Sequence, residues 1–296
     1  MSLVAVFGSA GNETNFDLVE RWSALGIRAS IVSEPDALTE LSPGDTIVAR
    51  VDVRPTLDGV RPGLVEVHAA GQAGVRVLNQ PTAMMNAHDK LRTARLLAAA
   101  GLPHPRTAHV RSGMPLPFAA PLVVKPRFGS WGQDVIRCDT EEDAYAVLAS
   151  LEGRAWFRRQ GALVQELVPP RGHDLRVVVA GGVVVGAEAR VAAPGDWRTN
   201  ITLGGLQRRI AAPAPAASAL AVAAVQAVGG NFFGVDLLPY GDGYIIIEVN
   251  AAVDFDVGYS LPGSDVFSDI AKAVQLPVEE PRIRRLAPLA FEQGGA

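Results

Sequence analysis

The sequence predicts an α/β (α+β) protein in three pieces: an N-terminal parallel-sheet domain, a small lid, and a C-terminal antiparallel sheet. Three observations carry that expectation. Up to Leu78, short apolar strands alternate with helix-spaced segments, the pattern of a parallel sheet covered on both faces. Near the other end, Gly181-Gly182 and Pro239-Tyr240-Gly241-Asp242-Gly243 each lie between apolar runs, as hairpin turns do. Between the two regions, Pro115 to Pro121 is a proline-rich linker. The expected divisions are 1–87, then a linking helix and lid over 88–165, a C-terminal unit over 166–276, and a tail over 277–296.

Composition narrows the function classes. The chain has 296 residues, 48% of them hydrophobic, which is core material for two or three small α/β units. A formal net charge of −4 argues against a general nucleic-acid or membrane-surface binder. Cys138 is the sole cysteine, so neither an internal disulfide nor a cysteine-rich metal site is available, and a reducing cytoplasm fits best. Met1 to Phe7 has no basic region and no small-residue cleavage site, so no signal peptide is expected. No apolar run approaches the ~18 residues of a membrane helix.

Residues 3 to 7 read as a buried strand, and Phe16 to Leu25 as a helix with Phe16, Val19, Trp22 and Leu25 on its apolar face. Gly8-Ser9-Ala10-Gly11 between them is expected to be a strand-to-helix turn rather than a dinucleotide loop, because it lacks the full glycine fingerprint. Ile27 to Val32, Thr46 to Val51 and Val75 to Leu78 are further strands, with a helix near Leu64 to Ala70. Pro81 to Ala100 is mostly helical, ended by Gly101, Pro103 and Pro105, with Lys90 heading its second part. Leu122 to Pro126 is a strand that carries Lys125. Arg127 to Gly132 follows, and Gly129, Ser130, Trp131 and Gly132 let backbone N–H groups turn toward a phosphate beside that lysine. An ordinary glycine-rich hairpin with an edge lysine has the same composition, and no Gly-Lys-Ser/Thr closes a Walker loop.

Val135-Ile136 is a strand, and Thr140 opens a helix to Leu151 whose acidic first turn suits the helix dipole. Ala162 to Val168, with Gln165, Glu166 and Leu167, is an apolar strand stopped by Pro169-Pro170, and Arg171 to Asp174 reads as a turn. Leu175 to Ala180 and Val183 to Glu188 are strands. Arg176 and Arg190 interrupt apolar sequence, so each lies on a wet face or is paired with an anion. Pro194 to Asn200, with Gly204-Gly205, is a polar glycine-rich loop of the kind that carries function. An alanine-rich helix ends near Gly229-Gly230, and a last helix starts at Ser264.

The hairpin before that last helix is the chemical centre of the chain. Phe233 to Leu238 is an apolar strand broken by one acid, Asp236; Tyr244 to Asn250 ends with Glu248 and Asn250 on one face. Folding the hairpin would bring Asp236 beside both, a set of hard oxygen ligands suited to Mg²⁺ (or Mn²⁺) bridging phosphates. A structural Asp and Glu bonded to backbone donors would read the same way. The five histidines, His68, His88, His104, His109 and His173, are scattered and read as structural or solvated.

In order, these segments resemble the ATP-grasp superfamily, and within it the RimK/LysX-like carboxylate–amine ligases. Lys125-Pro126 with Gly129 to Gly132 looks closest to the lysine-biosynthesis ligases; Asp174 to Val177, Thr199-Asn200 with Gly204-Gly205, and Glu248-Val249-Asn250 also match. The resemblance implies an ATP-grasp fold and a set of roles. Lys90 and Lys125 would contact ATP phosphates, Gln165 to Val168 would line the adenine pocket, and Asp174 would bond the ribose. Asp236, Glu248 and Asn250 would hold the metal, and Arg176, Arg190 and Asn200 would face the transferred phosphoryl group. ATP would turn a poorly electrophilic carboxylate into an acyl-phosphate for attack by an amine, chemistry that requires positioning and charge neutralisation rather than a protein nucleophile. The implied substrates are an amino acid and a carboxylate, carried on a glutamate side chain or a small acidic carrier protein. A glutamate ligase acting on a protein C-terminus or small cofactor is the variant. A catalytically inactive nucleotide sensor and a dinucleotide enzyme are the readings from other classes. Relatives suggest a dimer or tetramer.

Overall fold

A computed structural model of the chain describes residues 2–278, so most of the expected tail lies outside the described residues. The first unit is built from β1 (Val4–Phe7), α1 (Glu13–Ala24), β2 (Ala29–Val32), β3 (Thr46–Ala49), α2 (Leu64–Gln72) and β4 (Arg76–Leu78). Its sheet has the order β2-β1-β3-β4, with every pairing parallel. All four residues of β1 are buried, as in a sheet covered on both faces.

The expected apolar face of α1 is corrected by the structure: Phe16 is 62% and Leu25 42% exposed. The buried stripe runs through Asn15, Leu18 and Trp22, with Thr14 beside it. Hydrogen bonds turn the helix this way. The Thr14 hydroxyl donates to the Phe255 carbonyl at 2.9 Å, Asn15 Nδ2 to Ser9 O at 2.9 Å, and Trp22 Nε1 to Phe267 O at 2.9 Å. Satisfied polar groups can go inside, and here they outrank the periodicity of the larger apolar residues.

The expected single helix after β4 is two, α3 (Pro81–His88) and α4 (Lys90–Ala99). The break is Asp89, with φ −83° and ψ 92°, whose carboxylate accepts from the backbone N of Leu91 at 3.2 Å as an N-cap. That break places Lys90 at the first position of α4.

The middle sheet comprises β5 (Thr107–Val110), β6 (Leu122–Pro126), β7 (Ile136–Cys138) and, after α5 (Glu141–Ser150) and α6 (Ala155–Gln160), β8 (Ala162–Glu166). The order is β5-β8-β6-β7, all antiparallel. Thr140 and Asp143 form a capping box at the start of α5.

The last sheet contains β9 (His173–Ala180), β10 (Val183–Val191), β11 (Leu206–Arg209), and, beyond α7 (Pro215–Val228), the hairpin β12 (Phe232–Tyr240) and β13 (Gly243–Asn250). Its order is β11-β10-β9-β12-β13, antiparallel throughout. His173 and Asp174, expected in a turn, begin β9. The helix α7 packs on one face with α3 and α4, and α8 (Val266–Ala273) joins the first unit to this sheet through a second core around Trp22, Tyr259 and Phe267. Asn79 locks the units together: its Nδ2 donates to Phe232 O at 2.8 Å, and its Oδ1 accepts from the backbone N of Asn231 and Phe232. Among the described residues, no helix is long and apolar enough to cross a membrane.

Candidate active site

The last sheet carries a row of charge across all five strands. Arg209 of β11 is in register with Glu188 of β10, Glu188 with Arg176 of β9, Arg176 with Asp236 of β12, and Asp236 with Glu248 of β13. Directly opposed residues share a face, so the row lies on one side of the sheet. Asp236 is 3% exposed and accepts two bonds from Arg176, at 2.8 and 2.9 Å, and one from Arg190 Nη2 at 2.8 Å. Arg190 also forks onto Asp174, with Nε donating to Oδ1 at 2.9 Å, and the Thr199 hydroxyl donates to the same carboxylate at 2.7 Å. Burial alone would raise Asp236; the guanidiniums of Arg176 and Arg190 overcome it and hold the carboxyl below its ordinary value. For Arg190, burial works against the charge, and Asp236 and Asp174 reverse that and raise it. The arginines that interrupt the apolar strands are thus paired with acids.

The middle sheet presents the lysines. Lys125 on β6 is 6% exposed, and its ammonium donates to Gln165 Oε1 of β8 at 2.7 Å. Burial first, and then the charge of Lys90, push Lys125 down to about 8, while Glu248 opposes the shift. Lys90 bonds the Gly129 carbonyl and lies 2.8 Å from Glu248 Oε1. The loop after β6 comes close to the last sheet: a Cβ on Gly132, at φ +72°, would sit 2.7 Å from Asn200 Oδ1. Glycine is required there for both space and backbone conformation.

Two cavities meet at the Lys90–Glu248 pair. One, of about 130 Å³, is bordered by Lys125, Gln165, Glu166, Leu167, Val168, Asp174, Asp236, Gly132 and the apolar side chains of Val123, Leu238 and Ile247. The other, of about 520 Å³, opens toward the first unit and is bordered by Asn12, Glu13, Asp52, His88, Arg176, Asn250, Asp254, Asp256 and Tyr259. Lys90, Gly129, Ser130, Trp131, Arg190, Asn200 and Glu248 border both. Every sequence-predicted site residue therefore lines one cavity or the other, and the ones bordering both mark the junction.

Among the described residues, no cluster of three or more His, Cys, Asp or Glu side chains is arranged as metal ligands. The expected centre is two carboxylates and a carboxamide. Asp236 and Glu248 are cross-strand partners, and Asn250 lies two residues along β13. Asn250 Nδ2 is buried with no hydrogen-bond partner among the described residues, so a donor is left there for an acceptor atom of a ligand, and any contact with a cation would fall to the carboxamide oxygen. Glu248 and Asn250 fit a hard divalent cation. Asp236 accepts three bonds from two guanidiniums and retains about one lone pair, on Oδ1, beyond them.

Sequence reasoning missed several lining groups. His88, set aside as structural, borders the larger cavity with its Nε2 2.7 Å from Val51 O. Asp52 accepts from the Ser130 hydroxyl at 3.2 Å. Glu188 was read only as a strand end, although an acid two residues before Arg190 in an apolar strand shares its face. No pattern could have found Asp52, which lies in a loop and meets Ser130 only through the fold.

Residues 87–274 match the family described as a RimK-like ATP-grasp domain. A probable alpha-L-glutamate ligase of Thioalkalivibrio sulfidiphilus is 32% identical over 243 residues, covering 80% of this chain and 78% of that one. Among solved structures, the RimK domain protein ATP-grasp from Sphaerobacter thermophilus superposes with a TM-score of 0.62 at 21% identity, covering 93% of this chain and all (100%) of the other. D-alanine–D-alanine ligase from Bacillus anthracis, complexed with ATP, gives 0.66 at 14% identity, covering 93% and 98%. The chain belongs to the RimK-like ATP-grasp family: it has the ATP-grasp fold and is a carboxylate–amine ligase.

Proposed function

We propose that this ligase uses ATP and Mg²⁺ (or Mn²⁺) to join the α-amino group of L-glutamate to a carboxylate through an acyl-phosphate. The observation that carries the reading is the junction of the two cavities. A small, partly apolar cavity fits a base and a large polar one fits two substrates, and Lys90, Arg190 and Asn200 stand where they meet. The names of the curated relatives supply glutamate.

In this reading the backbone of Gln165 to Val168 holds the adenine edge, and Asp174, while it grips Arg190 and Thr199, offers a remaining lone pair to the ribose. Lys125 and Lys90 neutralise the phosphates, with the Gly129 to Gly132 loop closing over them to exclude water. Glu248 and Asn250, backed by Asp236, would hold the divalent cation, which when bound neutralises phosphate charge. Arg176, Arg190 and Asn200 face the phosphoryl group as it moves to the carboxylate, and then the oxyanion that forms when the amine attacks.

A second reading has its own support. Glu13, Asp52, Asp254 and Asp256 border the larger cavity, and they favour a cationic or neutral amino acid over one with a net negative charge. The carboxylate would then sit on a glutamate side chain or a small acidic carrier protein, as in the lysine-biosynthesis ligases. ADP release measured across a panel of amino acids, each with the α-linked tripeptide of L-glutamate as carboxylate, separates the two. L-glutamate is expected to give the largest rate. A preference for lysine-like amines would replace the first reading with the second, and no ADP release with any pair would remove the first.

A further inference from the structure

The wall of the larger cavity holds a base and an acid that the proposed reaction does not use. The base is His88, which ends α3, is 8% exposed and borders that cavity. Burial lowers its affinity for a proton. Of the charges around the ring, Asp52 from the loop after β3 counts most, ahead of Lys90 of α4 and Glu248 of β13; burial prevails and holds the group below its ordinary value. His88 Nε2 lies 2.7 Å from the Val51 carbonyl, and a carbonyl only accepts, so Nε2 carries the proton and Nδ1 of the neutral ring is left as an acceptor. Nothing among the described residues donates to Nδ1. The sealed side-chain polar atoms without a partner are Arg50 Nη1, Glu188 Oε2 and Asn250 Nδ2. Nδ1 is not one of them, so its lone pair opens on the cavity that the residue borders. The acid is Asp52, half-buried and bordering the same cavity. Its Oδ1 accepts from the Ser130 hydroxyl at 3.2 Å and the Val53 backbone N at 2.6 Å. Its Oδ2 has no partner among the described residues and is likewise not sealed. Ser130 borders both cavities, so Asp52 stands next to their junction.

We propose that Asp52 seats the ammonium group of the amine substrate beside the junction, and that His88 Nδ1 takes the proton the amine must lose before it attacks. The inference rests on the ligase reading above. One N–H proton passes from the ammonium to Nδ1, and the freed lone pair forms the C–N bond at the acyl-phosphate carbon. The C–O bond to phosphate breaks, phosphate leaves with that electron pair, and the second N–H proton departs with it. The imidazolium left behind is stabilised by the Asp52 carboxylate, whose charge favours the protonated ring. His88 returns its proton to solvent when product leaves. A neutral imidazole is a competent proton acceptor near neutral pH, and the Val51 carbonyl keeps the ring turned with its protonated nitrogen away from that task.

Two variants of the full chain test this. His88→Gln keeps a donor for Val51 and removes the Nδ1 lone pair; Asp52→Asn keeps an oxygen for Ser130 and removes the charge. The carboxylate is the α-linked tripeptide of L-glutamate, the amines are L-glutamate and L-lysine, and hydroxylamine is a further nucleophile. Hydroxylamine is uncharged at neutral pH and traps the acyl-phosphate as a hydroxamate without needing a base. Both variants are expected to keep hydroxamate formation within about twofold. With the wild type's better amine, His88→Gln should lose about a hundredfold in kcat for amide formation, and Asp52→Asn should raise the KM for the amine about tenfold. The acidic limb of the amide pH profile should vanish in His88→Gln and move to lower pH in Asp52→Asn, because Asp52 favours the protonated ring. A variant that loses both products equally, or neither, removes its residue from the role. If the wild type forms no amide with either amine, calorimetry with both amines decides the seat: about tenfold weaker binding to Asp52→Asn supports it, and unchanged binding overturns it. Failure to form the hydroxamate as well would mean that the ligase reading itself has failed.

Discussion

The two cavities that meet at Lys90 and Glu248 make different demands on a ligand. The smaller one has few free charges: Asp174 and Asp236 are bound to arginines, and Lys125 leans on Gln165. Among the described residues, the larger one keeps a buried carboxylate oxygen and a buried carboxamide nitrogen without partners, Glu188 behind its wall and Asn250 on it. The smaller cavity is assembled before anything binds, and the larger is left incomplete. A cavity that accepts a common cosubstrate can be finished in advance, whereas one that must choose between amines leaves its polar groups for the substrate to satisfy.

The sharpest way to break that contrast is Arg190→Met, because Arg190 serves both cavities. Removing it strips Asp174 and Asp236 of a shared partner, and breaking a buried pair from one side costs about 3–5 kcal/mol. Urea denaturation should register that loss. The rate of ADP formation should fall a further hundredfold or more, the usual cost of one positioned charge at a transition state. A variant with normal stability would show that the smaller cavity is not pre-assembled around this arginine.

Lys125→Met probes the smaller cavity alone. Lys125 is held below its unfolded value of 10.5 at about 8, so the folded protein binds fewer protons than the unfolded chain between those values. Wild-type stability should therefore rise as pH climbs from 8 to 10.5, and below pH 8 the buried ammonium costs about 3 kcal/mol. The methionine variant should lack the climb, melt higher at neutral pH, and bind ATP at least tenfold more weakly. Tighter or equal ATP binding would remove Lys125 from the phosphate site.

The effect confined to stability belongs to the larger cavity. Glu188 is raised from 4.5 to about 7, so the folded state holds a proton that the unfolded state loses first. Stability should fall as pH rises from 4.5 to 7 and then level off, by about 2 kcal/mol at pH 6. Glu188→Gln should flatten that slope in melts across the range. An unchanged slope would mean Glu188 has a partner when free in solution, and the contrast between the cavities would soften.

Much of this was legible in the sequence because strand alternation and hairpin turns are local. Lys125, Asp236, Glu248 and Asn250 stand out as polar residues in apolar strands, and period-2 alternation fixes which of them share a face. The break at Asp89 was not seen, because Pro81 to Ala100 keeps helical spacing through it; only the capping bond from Leu91 and the hold of Arg127 Nε at 2.7 Å make the kink worthwhile. The short edge strand β11 has one apolar residue and is exposed along its length, so no burial pattern marks it. Phe16 misled because the buried side of α1 is chosen by Thr14, Asn15 and Trp22, whose partners lie more than two hundred residues away or in a preceding turn.

The ammonium of Lys90 grips the Gly129 carbonyl and the Glu248 carboxylate together. A polyphosphate arriving between the sheets would compete for that same ammonium. The clasp on the glycine loop would then loosen in the moment the nucleotide is seated, with no separate hinge to throw. Filling one chamber would thereby reset the wall it shares with the other.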